Sequence, residues 1–316
     1  MRVLVTGSTG MLGHVACAVL GERFEVFGTC RREFPSGLES FLSPGRCYVN
    51  CDGGNIERLR KAVEDCRPAA VVNCIGVVKQ KPEAQDAVQT IRINSLLPHE
   101  IAVECDRVGA KLIQISTDCV FSGTRGGYTE DSVPDATDLY GRSKLLGEVT
   151  RTPHLTLRTS IIGPQLHGET GLLAWFVNNR TSPVQGYVNA VFSGLTTYTL
   201  ARIIADIVEK APGLTGLYHV ASTPVSKYDL LRSIAAAAGW DVDILRFEDF
   251  YCDRSLDGRA FGKATGLVVP NWVEMIRELM EKGLTHDTSF QGQAHSHYGW
   301  NGIVGQGVDQ EHPGKP

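Results

Sequence analysis

The first half of the chain alternates short apolar runs with longer amphipathic ones. RVLVT, Arg2 to Thr6, is dense in β-branched residues and ends at glycine, which predicts a buried strand. The 3.6-residue period then predicts a helix from Met11 to Leu20, followed by a strand over FEVFGT, Phe24 to Thr29. After a loop at 35–45, a short strand is expected at Cys47 to Asn50 and a helix from Asn55 to Cys66. AAVVNCIG (Ala69 to Gly76) and KLIQIST (Lys111 to Thr117) read as two further strands, separated by a helix from near Glu83 through Asn94 to Val108. Strands and helices alternating at this length imply an α/β fold with a mostly parallel, doubly wound sheet.

Beyond Thr117 the pattern changes. Phe121 to Asp138 is rich in glycine, polar residues and proline and reads as one long loop, of a length that is often functional. A helix opens near Leu139, and a strand is expected from Leu155 to Thr159. The texture is then less regular, with strands at Val184 to Tyr187 and Leu217 to Val220 and helices at Leu200 to Lys210, Lys227 to Ala238 and Asn271 to Lys282. Residues 1–160 therefore form the main sheet unit, completed by later segments, and 161–283 mainly a smaller interleaved lobe. Residues 284–316 hold four of the nine histidines, lack apolar periodicity and are expected to be a disordered tail.

Composition narrows the partners. The chain has 316 residues, 42% hydrophobic and 21% charged, with a net charge of −4, so no general footprint for nucleic acid is expected. The nine cysteines form no CxxC pair and read as reduced, mostly buried thiols, with no metal site. No run approaches the roughly 18 apolar residues of a membrane span, and the opening MRVLVTG lacks a secretion signal. A soluble cytoplasmic protein is expected.

The first strand runs into GSTGMLG, with glycines at 7, 10 and 13. Gly7 allows a tight turn, Gly10 lets backbone approach a pyrophosphate, and Gly13 lets the first helix pack closely on the sheet. Thr9, Met11 and Leu12 complete the loop, whose helix N-terminus presents amides to an anion. The fold is thus expected to be a Rossmann-type dinucleotide-binding one. The second strand is followed by Arg31 and Arg32 instead of an acidic residue, which suits the 2'-phosphate of NADP(H) and leaves NAD(H) as the other cofactor. Asp52 is placed either to bind the adenine amino group or to cap the helix at Asn55.

In DLYGRSKLLGE, Asp138 to Glu148, Tyr140 and Lys144 stand one helical turn apart on one face. An ammonium beside the phenol stabilises phenolate and would make Tyr140 usable as an acid or base. ISTDCVF, Ile115 to Phe121, ends a strand at Ser116 and Thr117, at the sheet edge where ligands collect. Thr117 can there hydrogen-bond the substrate oxygen that Tyr140 protonates, and Lys144 can hold the nicotinamide ribose.

The three glycines, Asn94 in IRINSLLP, Ser116-Thr117 and Tyr140-Gly141-Arg142-Ser143-Lys144 together resemble an extended short-chain dehydrogenase/reductase. Within that superfamily, STDCVF is similar to the Ser-Thr-Asp-x-Val-Phe run of the dTDP-4-dehydrorhamnose reductase group. The resemblance covers most of residues 1–283. It implies catalytic roles for Thr117, Tyr140 and Lys144, with Asn94 supporting the lysine through ordered water. It also implies a cofactor pocket lined by Cys74, Ile75, Gly76, Arg158 and the segment Thr159 to Ile161, with Ser116 alongside. The implied reaction is NAD(P)H-dependent reduction of a nucleoside-diphosphate-linked 4-keto-6-deoxy sugar, and a C4 epimerase with tightly held NAD is the alternative.

Cys119 stands where related 4,6-dehydratases carry glutamate, which argues against dehydration. Ile161, in RTSIIG, replaces the tryptophan of the reductase group, so the sugar need not be a rhamnose. A non-catalytic NADP-binding regulatory subunit is a further alternative, but that reading predicts loss of Tyr140 or Lys144, and both are present. Cys119 and Arg254 are the expected substrate contacts. Lys263 is a second candidate for the diphosphate, and Trp175 or Tyr187 for stacking on a base. Leu145 and Leu146 offer a face for a homodimer. FSGLTTYTLA, around Phe192, has no role that the sequence explains.

Overall fold

The computed structural model describes residues 1–79, 85–168 and 171–283. Its strands are β1 (Arg2–Thr6), β2 (Glu25–Thr29), β3 (Cys47–Tyr48), β4 (Ala70–Asn73), β5 (Lys111–Thr117), β6 (Leu155–Thr159) and β7 (Ile161–Ile162). There follow β8 (Val184–Tyr187), β9 (Ala190–Phe192), β10 (Leu195–Thr196), β11 (Gly216–His219), β12 (Val225–Ser226), β13 (Ile244–Phe247) and β14 (Cys252–Asp253). The helices are α1 (Met11–Gly21), α2 (Ile56–Cys66), α3 (Ala87–Ile91), α4 (Leu97–Val108), α5 (Leu139–Leu146), α6 (Leu172–Asn179), α7 (Thr197–Lys210), α8 (Lys227–Ala238), α9 (Arg259–Thr265) and α10 (Trp272–Gly283).

Seven strands form one parallel sheet in the order β11-β6-β5-β4-β1-β2-β3. The chain winds outward in both directions from β1 and β4, the Rossmann-type arrangement, and the crevice at their carboxyl ends is the switch point where ligands bind. Both faces are covered. One core joins β1 and α1 to α7, α8 and α10, and the other packs α2 and α4 on the opposite face. β4 and β6 are buried along their whole length, as expected of strands between two helical layers. β11 and α7 come from beyond residue 160 and yet complete the sheet and its core, so the smaller lobe is interleaved with the main unit.

The helix expected from Glu83 to Val108 is interrupted. Its start falls outside the described residues, and a π-helical turn at Arg92–Leu96 separates α3 from α4. Pro98 has no N–H to give to the Asn94 carbonyl, so the regular i→i−4 ladder fails at that point. Gly147, just past α5, packs so closely there that a Cβ would collide with the Asn94 carbonyl. The widened turn is thus where α5 docks. FSGLTTYTLA also finds its place: it runs from the last residue of β9 through β10 into α7, which Thr196 caps by accepting from the Thr199 amide.

Candidate active site

The glycine loop is built as the spacing requires. Gly7 has φ of 72°, and a Cβ there would come within 3.0 Å of the Ile75 side chain. A Cβ on Gly13 would collide with the Gly7 carbonyl, so α1 can settle on the turn only as glycine. Gly10 caps α1 without a side-chain bond, whereas Asn55, Asp138, Thr196 and Ser226 cap α2, α5, α7 and α8 through theirs. The first-turn amides of α1, from Met11, are left to an external anion, the feature a pyrophosphate needs. Thr9, Gly10 and Met11 are partly exposed around this cradle, and Leu12 buries its side chain in the core, contributing backbone alone.

Cys74, Ile75 and Gly76 leave β4 directly beside Gly7. Their path is set by a buried relay that sequence reading missed. Thr6 donates to Asn73 Oδ1 (2.7 Å), Asn73 donates to Gln114 (2.8 Å), and Asn73 Oδ1 accepts the Ile75 amide (3.2 Å). The signal was present as polar residues inside three apolar strands, which must find partners when buried.

At the end of β2, Thr29 accepts the Gly7 amide at 3.1 Å, and Arg31 and Arg32 are exposed beyond it. Asp52 does not cap α2; Asn55 does, accepting from the Glu57 amide at 3.1 Å. Asp52 accepts instead from the Gly54 amide (2.7 Å) and lies 3.6 Å from Arg31 Nε.

Thr117, Tyr140, Lys144 and Asn94 are brought together at the carboxyl end of β5. Gly141 makes this possible, because a Cβ there would strike the Cys119 carbonyl and the Ala136 methyl. Thr117 Oγ1 accepts from the Cys119 amide (3.1 Å) and donates to Asp118 (3.2 Å). Burial pushes the Tyr140 phenol above its ordinary range, and a hydrogen bond with Thr117 partly offsets it. The expected lowering by Lys144 is therefore not what the geometry produces. Burial brings the lysine down to about 8, and its ammonium donates to the Ile115 carbonyl at 2.7 Å. Asn94, in the π-helical turn, donates to the Ser143 hydroxyl (3.1 Å) and to the Val77 carbonyl (3.0 Å), which fixes α5 one residue from Lys144.

Two residues placed at the cofactor by resemblance are engaged elsewhere. Arg158 is buried in a two-pronged pair with Glu148 (2.8 and 2.7 Å), and Ser116 donates its hydroxyl to the same carboxylate at 2.7 Å. Arg158 also donates to His219 Nε2 (3.3 Å), whose Nδ1 faces the Tyr128 carbonyl at 3.0 Å. The chain of contacts ties the segment just after α5 to β5, β6, β11 and the 121–138 loop.

Burial, with Arg158 beside it, holds the His219 imidazole down at about 4, against an ordinary 6.5. Between those values the unfolded chain binds the proton and the folded one does not, so this contribution is present above pH 6.5 and is lost as pH falls towards 4. The loss is about 3 kcal/mol, from the size of the shift. Urea unfolding across that range should show a steeper fall for the natural chain than for His219→Gln.

In the second lobe Arg254 reaches the site. It donates to the Phe121 carbonyl at 2.9 Å and lies 3.8 Å from Cys119 Sγ. The Cys119 thiol is pushed up to about 12 by burial and Asp118, so it is a neutral group and a poor proton donor. Lys263 is exposed on α9. Tyr187 is buried edge-on against Phe247 and Phe250 and is not presented to a base, while Trp175 is partly buried against the main core. Ile161 pairs with Leu195 and is partly buried. Leu145 turns inward against Val120, Phe121 and Tyr128, leaving only Leu146 at the surface.

A hollow of about 480 Å³ beside Lys210, Pro212 and Thr265 lies at the opposite, amino end of β5, where Lys111 meets the Pro212 carbonyl, and carries none of this chemistry. Among the described residues there is no cluster suited to a metal ion and no helix long and apolar enough to cross a membrane.

Methionine adenosyltransferase 2 subunit beta of Pongo abelii is 32% identical over 254 residues, 75% of this chain and 72% of that protein. The crystal structure of dTDP-4-dehydrorhamnose reductase from Bacillus anthracis with NADP superposes with a TM-score of 0.72 at 22% identity, over 89% of this chain and 99% of that one. The Bordetella bronchiseptica enzyme WbmG, in complex with NAD and UDP, gives a TM-score of 0.74 at 18% identity, over 89% and 94% of the two chains. The fold is that of NAD(P)-binding oxidoreductases and epimerases of nucleotide sugars. With the family model described as the RmlD substrate binding domain matching residues 1–251, the chain belongs to that family.

Proposed function

We propose that this protein reduces the keto group of a nucleoside-diphosphate-linked 4-keto-6-deoxy sugar to the hydroxyl, using NAD(P)H, with NADP(H) favoured. The observation that carries the reading is the meeting of Thr117, Tyr140 and Lys144 at the switch point beside an anion cradle. When bound, the reduced nicotinamide supplies the hydride for the keto carbon. Tyr140, neutral because burial raises its pKa, delivers the proton to the developing alkoxide. Thr117 holds the same oxygen by turning its hydroxyl proton from Asp118 to the substrate. Lys144 anchors the ribose, its own position set by Ile115 and, through Ser143, by Asn94. Gly7, Gly10, Gly13 and the residues 74–76 form the cradle for the cofactor. The exposed Arg31 and Arg32 suit a 2'-phosphate, although Asp52 offsets part of the charge on Arg31.

Two other readings have support. Two structural relatives are epimerases bound to NAD, UDP-glucose 4-epimerase from Thermus thermophilus and UDP-glucuronic acid 4-epimerase from Bacillus cereus. The likeness to an adenosyltransferase subunit favours a regulatory partner, against which stand the retained Tyr140 and Lys144.

Purified protein incubated with NADPH or NADH and a panel of nucleotide-linked 4-keto sugars should consume reduced nicotinamide, followed by absorbance. If no keto sugar is reduced but an unmodified nucleotide sugar is interconverted with catalytic NAD, the reductase reading fails in favour of the epimerase. Silence in both assays favours the regulatory reading. A homodimer is part of the proposal: Leu146, 65% exposed, lies on the helix that docks at Asn94, and Val88 and Leu96 are exposed on the neighbouring segment. Sedimentation of the full chain tests it.

A further inference from the structure

The second lobe brings to the site a cation that the catalytic helix and the glycine loop do not account for. Lys227 opens α8, where its charge opposes the positive end of the helix dipole. It is half-buried, with its ammonium 3.6 Å from the centroid of the Phe192 ring. Among the described residues no carboxylate lies within 4.0 Å of it. Arg254 stands near by, its guanidinium given to the backbone carbonyls of Phe121 and Ser122 and to Cys119 Sγ.

One buried acid, Asp118, feels both cations, and its carboxylate already accepts the Thr117 hydroxyl. Another nearby lysine, Lys79, is paired with Asp138 at 3.4 Å. Two cations thus face one acid in a region of low polarity, an excess of positive charge that is costly unless an anion shares the space.

We propose that Lys227, together with Arg254, binds the diphosphate of the nucleotide-sugar substrate. In such a sugar the phosphate leaves C1, across the ring from the keto carbon at C4. With C4 at Tyr140, the diphosphate would extend towards the second lobe, from which Arg254 reaches Cys119 and Lys227 acts on the same group electrostatically. Lys227 acts there as a point charge for a phosphate oxygen, and Arg254 closes the other side while staying anchored to the 121–122 backbone. Lys227 thereby takes the role that sequence reading gave to Lys263. This assignment rests on the nucleotide-sugar reading above and names a residue for its anionic part.

The test is calorimetry on the full chain, with dTDP and UDP, with thymidine and uridine, and with NADPH as ligands. The natural protein should bind at least one diphosphate more tightly than its nucleoside. Lys227→Met should weaken that diphosphate by about ten- to a hundredfold, the scale of a lost bond to a charged group. Nucleoside and NADPH affinities should be unchanged, and Lys227→Arg should retain most of the diphosphate affinity. Diphosphate binding undiminished in Lys227→Met, or an equal loss for nucleoside and diphosphate, overturns the assignment. A natural protein that binds neither diphosphate overturns it as well. Tight diphosphate binding that depends on Lys227, without reduction of any keto sugar, leaves this site standing and removes the proposed reaction alone.

Discussion

Tyr140→Phe is expected to lower kcat/KM for the keto sugar by about a hundred- to ten-thousandfold, the range that a positioned proton donor contributes. The substitution removes one hydroxyl and keeps the ring that sits beside Thr117 and Cys119. Cofactor affinity should hardly change, because the cradle is built from the glycine loop and residues 74–76, and Lys144 takes its place from Ile115. The loss should fall on kcat, since the missing bond is made to the alkoxide and hardly at all to the ketone. Steady-state rates with a reducible keto sugar, alongside NADPH binding by fluorescence, check both halves. A variant within tenfold of the natural rate would remove Tyr140 as the acid. The pH profile carries a second signature. Lys144, brought down to about 8, loses its charge as pH rises through that value, so activity should decline on the alkaline side while Tyr140 is still protonated.

Arg158→Met should cost about 3–5 kcal/mol of folding stability, as breaking one side of a buried ion pair does. Arg158 and Glu148 are 5% and 6% exposed, and without the guanidinium the Glu148 carboxylate keeps, among the described residues, the Ser116 hydroxyl as its one direct side-chain partner. The Glu148→Gln/Arg158→Met double variant should recover much of the loss, because no uncompensated charge remains inside. Urea unfolding of the natural chain, both single variants and the double variant measures the coupling. NADPH affinity of the folded Arg158→Met fraction should be unchanged, since the guanidinium is spent within the protein. A tenfold drop in that affinity without loss of stability would return Arg158 to the cofactor pocket.

These two residues show where sequence reading succeeds and where it stops. Tyr140 was legible because its chemistry is carried by a local spacing, Tyr-x-x-x-Lys on one helix, and by a strand ending in Ser-Thr. Arg158 lies in an equally clear strand, but its partner Glu148 is on another element and its third contact, His219, is 61 residues away. Short strands were missed for the same reason. β12 and β14 flank β9 in a small sheet, and at two or three residues each the three strands carry no period of their own. The π-helical turn was missed because its cause is a combination, Pro98 in the chain and Gly147 packed across it.

β1, β5, β6 and β8, the helix over Lys227–Ala238, the glycine loop and the Tyr140–Lys144 spacing were determined by the sequence itself. Each depends on apolar periodicity, β-branching or glycine within a few residues. Only the tertiary structure decided the state of the charges. Burial raised Tyr140 and lowered Lys144, Asp52 turned to Arg31, Arg158 closed on Glu148, and Lys227 came within electrostatic reach of Asp118 from a distant helix. Desolvation and pairing depend on which atoms surround a group in space, and those atoms are supplied by elements far apart along the chain.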